Sequence, residues 1–162
     1  GCMMLTFKST SLFTRSIFLF STLALGLFSM QSNAEQKQVF GEYEVHYIGL
    51  SSSFLTPEVA KIYDIPRSRA LGFLNISVLQ KTANDELPAA LNATVSGKIR
   101  NLIGQSRDIE FRRVQEGKAI YYLSTFRFDD GDMYNFDLDV VPSNAQQKNF
   151  DVKFSQRFYA ED

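Results

Sequence analysis

The chain has 162 residues, with 17 basic and 18 acidic side chains, a formal net charge of −1 and one histidine. That balance offers no basic surface for nucleic acid and no attraction to an anionic membrane. A single cysteine, Cys2, excludes a disulfide framework.

The first 34 residues read as a targeting segment. Lys8 and Arg15 are their only charges, and the apolar run "SIFLFSTLALGLFSM" follows. That run is about 15 residues long, against about 20 for a spanning helix. Ser32 and Ala34 then supply the small residues of a cleavage site. The expectation is a secretory signal peptide over 1–34, cleaved after Ala34, with membrane contact only through the uncleaved signal. Cys2 precedes the apolar run, so lipidation there is not expected. Residues 35–162 remain as one domain with no cysteine, 15 basic and 18 acidic side chains, and a net charge of about −3.

Period-two alternation predicts seven strands, over 38–50, 70–81, 91–103, 107–114, 118–128, 133–141 and 149–159. In the first, Tyr43, Val45 and Tyr47 alternate with Glu42, Glu44 and His46. In the third, Gly97 marks a bulge or a close backbone approach. In the fourth, Ile109 and Phe111 point inward, and Asp108, Glu110 and Arg112 outward. Asp130-Gly131 predicts a two-residue hairpin loop joining the fifth and sixth strands. That pairing turns Tyr121 and Leu123 toward the core and Tyr122, Phe126 and Phe128 outward. The fold class expected is all-β, an antiparallel immunoglobulin-like β-sandwich of about seven strands, with a small closed barrel as the alternative.

One short helix interrupts the first inter-strand connection. In "SSSFLTPEVAKIYDIPRSRA", residues 51–70, Thr56 is a helix cap, Pro57 suits the first turn and Pro66 ends the helix by about Asp64. Val59, Ile62 and Tyr63 share one face. A two-turn helix is unstable alone, so it must dock on something. The outward aromatic stripe is the cover's expected position, as a core plug or as the lid of a groove.

Reactive chemistry is sparse. His46 is a general-base candidate for a hydrolase, but no nucleophile elbow or cysteine accompanies it. One histidine and no cysteine after residue 34 cannot assemble a zinc or copper centre of usual ligands, so no metal and no cofactor is expected. Asp129, Asp130, Asp132, Asp137 and Asp139 leave calcium at an acidic 129–139 hairpin open. Arg67 and Arg69 could grip a carboxylate or phosphate.

The segments "FGEYEVHY", "SSFLTPEVAKIYDIPRS", "GFLNISVLQK", "VSGKIRNLIGQ", "EGKAIYYLSTF" and "FSQRFYAED" resemble domain-of-unknown-function family 4426, small exported proteins of Gram-negative bacteria. The resemblance implies a periplasmic protein and carries over no catalytic residue. The expectation is therefore a non-enzymatic binding module for an envelope protein or small ligand, of open oligomeric state. Its candidate partner-binding residues are Phe54, Tyr63, Arg67, Arg69 and Phe126. The alternatives are a structural subunit using the 149–159 strand as an edge and, third, the His46 hydrolase.

Overall fold

The computed structural model describes residues 36–84 and 87–160. The expected signal peptide lies outside them. Ten strands and one α-helix follow in chain order: β1 (Gln36–Phe40), β2 (Tyr43–Ser51), α1 (Pro57–Ile62), β3 (Leu71–Gln80), β4 (Ala89–Ala90), β5 (Ala93–Asn101), β6 (Ser106–Ile109), β7 (Arg112–Glu116), β8 (Ala119–Arg127), β9 (Met133–Pro142) and β10 (Phe150–Arg157). All the pairings are antiparallel. The first sheet runs β1-β2-β3-β8-β7, with β4 also on β3, and the second runs β10-β9-β5-β6. The expected sandwich of two antiparallel sheets is present.

The strand count rises for identifiable reasons. The first expected strand is a hairpin, because Gly41 adopts φ +64 and turns the chain between β1 and β2. The fourth splits where the chain changes sheets. β6 pairs with β5, while β7 pairs with β8. β4 is a two-residue strand without an alternation to reveal it.

The Asp130-Gly131 hairpin is not formed. Gly131 does take φ +78, and Asp132 N–H closes a turn on the Asp129 carbonyl at 3.0 Å. The strands on either side, however, belong to different sheets. The turn bonds instead to the end of the chain, Gly131 N–H to the Phe158 carbonyl and Phe158 N–H to the Asp132 carbonyl. An Asp-Gly pair specifies a turn, not which strands it joins.

That correction reverses the faces of β8. Tyr122, Phe126 and Phe128 are buried in the core between the sheets, and Leu123 packs on the other face with Phe73 and Ile65. The core is an aromatic chain that crosses between the sheets. Tyr47 of β2 stacks on Phe154 of β10 at 4.1 Å, Phe154 on Phe136 at 4.7 Å, and Phe136 meets Phe126 edge-on at 5.3 Å. Buried tyrosines keep their polar tips bonded, Tyr122 accepting from Ala93 N–H and Tyr134 from Asp129 N–H.

Of the bulge and the close approach expected at Gly97, the structure has the close approach, with unbroken register to β9. A Cβ there would lie 2.5 Å from the Asp137 carbonyl oxygen and 2.9 Å from the Leu138 Cα. Backbone cannot yield as a side chain can. Gly97→Ala is therefore expected to destabilise the fold by about 1–3 kcal/mol in urea unfolding, the usual cost of overpacking. An unchanged midpoint would show that β5 and β9 separate easily.

Candidate functional site

The 51–70 insertion is a closed loop. Thr56 Oγ1 accepts the Val59 N–H at 3.2 Å and caps α1. The helix ends with the Ile65 N–H on the Ala60 carbonyl at 2.8 Å and the Asp64 N–H on the Lys61 carbonyl at 3.3 Å. This paired termination places Asp64 at φ +53 and brings Ile65 back against Ala60, both buried. The mouth of the loop is tied by Ser52, whose hydroxyl donates to the Ser68 carbonyl and accepts its N–H. Arg67 donates to the Ser53 carbonyl at 3.2 Å, so it braces the same mouth.

The insertion docks on the outer face of the first sheet. Ile65 fills a cluster with Phe73 and Leu123, flanked by Leu50, Leu55, Tyr63, Val114 and Tyr121. Burying each large side chain contributes about 1.5–3 kcal/mol. The helix contributes Ala60 rather than the expected Ile62, which is 69% exposed. Six residues offer too short a face for a stripe. Two polar bonds fix the insertion to β7. The Tyr63 hydroxyl donates to the Glu116 carboxylate at 2.5 Å, and Arg112 donates to the Tyr63 carbonyl.

Beside this contact lies a cleft of about 540 Å³. One wall is Asp64–Pro66 of the insertion. The opposite wall is the sheet crossover from Arg107 to Arg112, and the floor is β8 from Leu123 to Phe126. Ile65, Ile109, Leu123 and Phe126 make the interior apolar. Asp64, Asp108, Glu110, Arg107 and Arg112 make the rim charged. Arg107 donates to the Arg127 carbonyl, and Asp108 faces Lys98 at 3.8 Å. The Ser124 hydroxyl, in the cleft's floor, is buried and makes no hydrogen bond.

The insertion thus plugs an apolar face and also walls a cleft. Of the residues singled out in the sequence, Tyr63 stands at the docking contact and Arg67 closes the loop. Phe54 is 54% exposed, Arg69 is exposed, and Phe126 is a core ring whose side lines the cleft. They do not converge on one point. Arg107, Asp108, Glu110 and Ser124 were not singled out as a binding site. A signal existed in Arg112-Arg113, since two successive charges break the alternation that a continuous strand requires.

His46 lies elsewhere, on β2, with Nε2 2.9 Å from Glu44 Oε2. Glu44 is buried, with Lys37 at 3.7 Å and Lys81 at 3.9 Å. The hydrogen bond with His46 holds its carboxyl below the usual range, against the effect of burial and with help from Lys37. The hydroxyls of Ser51 and Ser53 bond to each other and that of Ser52 to Ser68.

Residues 37–161 match the family described as a domain of unknown function, DUF4426. The chain belongs to the DUF4426 family. A DUF4426 protein from Pseudomonas aeruginosa PAO1, of known crystal structure, is 31% identical; the match covers 79% of this chain and 97% of that one, with a TM-score of 0.67. The DUF4426 fold is also similar to FetP of uropathogenic Escherichia coli strain F11, at 14% identity, covering 79% and 95% of the two chains with a TM-score of 0.57. A copper-bound variant of Campylobacter jejuni P19 matches at 10% identity, covering 76% and 94%, with a TM-score of 0.50. Among curated proteins, none matches the chain.

Two consequences are measurable. The Glu116 carboxylate and partial burial push the Tyr63 hydroxyl up to about 12 from 10.0. A proton held more tightly in the folded state stabilises it fully below pH 10, and that contribution is lost as pH rises through 12. Unfolding across this window should show a loss of stability that Tyr63→Phe reduces. An identical profile in the variant would remove Tyr63 from the docking contact. For Ser124→Ala, stability should rise by about 1 kcal/mol, because an unpaired buried hydroxyl is removed. A loss of similar size would mean that the hydroxyl is satisfied.

Proposed function

We propose that this DUF4426 protein is an exported, periplasmic, non-enzymatic binding module whose site is the cleft between the 51–70 insertion and the sheet crossover. The observation that carries this reading is the cleft's floor. Apolar side chains in the floor beside charged ones on the rim give the mixed lining a binding site needs. Export is supported by the apolar run before residue 35 and its small-residue ending.

The rival readings have less support. A hydrolase needs a nucleophile in reach of His46, and the serines of 51–53 are engaged within the insertion. A subunit would assemble through β10, an edge strand of the second sheet, but side-chain amides already tie it to the first. Gln38 of β1 donates to the Lys153 carbonyl at 2.8 Å, and Gln156 turns inward to the Gly49 carbonyl at 2.6 Å.

Copper, bound by variants of FetP and P19, does not fit the donors here. Copper sites draw on several imidazole or sulfur ligands. Among the described residues, no three His, Cys, Asp or Glu side chains are placed to hold a metal ion, the acidic 129–139 segment included. Asp130 accepts the Ala160 N–H, and Asp137 faces Lys153.

The test is a photo-crosslinking residue at Glu110, on the cleft rim, compared with one at Lys148, which sits over the Tyr43 ring. In living cells the expected result is a discrete adduct in the periplasmic fraction from position 110 alone. Equal adducts from both positions, or none at 110, would reject the cleft as the site.

A further inference from the structure

We propose that the cleft is a strand-addition site, in which an extended segment of a partner polypeptide lies beside β8 and pairs with the backbone of Thr125. This rests on the cleft being the binding site and names its occupant. The geometry follows from where β7 stops. Its pairing with β8 ends at Arg112 opposite Leu123. On the other side, β3 accompanies β8 as far as Leu71 opposite Arg127. Ser124 to Arg127 therefore have a neighbouring strand on one side only. The cleft occupies the position where β7 would have continued.

The backbone of β8 points its free groups into that space. The Phe128 N–H is donated to the Ala70 carbonyl, toward β3. Successive residues of a strand direct their N–H and C=O to alternate sides. The Arg127 carbonyl accordingly faces away from β3, where Arg107 donates to it. Thr125, two residues earlier, directs its N–H and C=O the same way, into the cleft. One residue of an incoming strand can bond both groups.

The walls describe the occupant. The slot is framed by the insertion on one side and the crossover on the other. Its apolar lining, Ile65, Ile109 and Leu123, suits an apolar side chain directed inward. The rim carries both signs of charge, Asp64 and Glu110 beside Arg107 and Arg112. The partner segment is thus apolar at one position and polar or charged beside it.

The probe is a randomised phage-displayed hexapeptide library, selected on the full domain. Enriched sequences should carry polar or charged residues next to apolar ones. They should bind Thr125→Val as they bind the wild type, because the backbone is unchanged. Thr125→Pro removes the N–H that faces the slot and also fixes φ there, and affinity should fall by about tenfold. The Thr125 amide should also exchange more slowly when a peptide is bound. This second measurement uses the wild-type chain and decides the matter if the proline variant fails to fold. Binding that survives Thr125→Pro in a folded variant, or peptides that leave Thr125 exchange unchanged, overturns the pairing. So does a selection that enriches nothing. If the Glu110 adduct forms while these tests fail, or proves to be a small molecule, the cleft stands and its occupant is not a strand. If neither the adduct nor peptide binding is found, both readings fall.

Discussion

The change of sheet between Ile109 and Arg112 is the constraint on which the rest of the architecture depends. Within a few residues the chain leaves β5 and joins β8. Ile109 enters the core at the point of crossing, and Phe111 packs against it. The crossing closes one side of the sandwich with covalent chain. On the other side, side-chain amides bridge the sheets, Gln38 to β10 and Gln156 to β2. A chain still crossing at Glu110 and Phe111 starts to pair with β8 only at Arg112 opposite Leu123, and this is why β8 outruns β7.

The same crossing explains why an insertion is needed. β8 carries apolar groups on both faces, so one face is buried whichever way the sheets pack. Tyr122 and Phe126 enter the aromatic core, which leaves Leu123 beside Phe73 on the outside. Water would penalise that patch, and Ile65 covers it. The helix is a device for delivering Ile65. Its cap, its short body and the left-handed turn at Asp64 together fold the chain back onto the sheet. Asp64 then stands on the cleft rim as a by-product of the same turn. A glycine would fit that φ with less strain, but would offer no charge.

Much of this was legible in the sequence, and the failures have physical causes. Alternation located the strands because one face of each is buried, and Thr56-Pro57 located the helix because capping chemistry is local. Of the two readings of Gly97, a bulge or a close approach, the close approach is found, since its register to β9 runs unbroken. The faces of β8 were inverted because period two gives the parity of a strand, not which parity points inward. That choice was taken from Asp130-Gly131, whose turn is real but joins two sheets. The cleft was out of reach for a related reason. Its walls come from residues 64–66, 107–112 and 123–126, and only strand order brings those together. Strand order is a long-range property that local pattern does not encode. The charged pair Arg112-Arg113 was the one visible mark of the crossing.

The aromatic chain through the core also has a temporal meaning. Leu74 pairs with Ser124, and Gly97 with Leu138, so each sheet joins segments far apart along the chain. Distant pairings fold slowly, since loops must close before contacts reward them. Phe154 and Phe158, which complete the ring contacts to Tyr47, Phe126 and Phe136, come from the last strand and the turn after it. Both sheets can pair before β10 is added. The rings that lock one sheet to the other are complete only when the last strand is in place, so the final segment acts as the fold's latch.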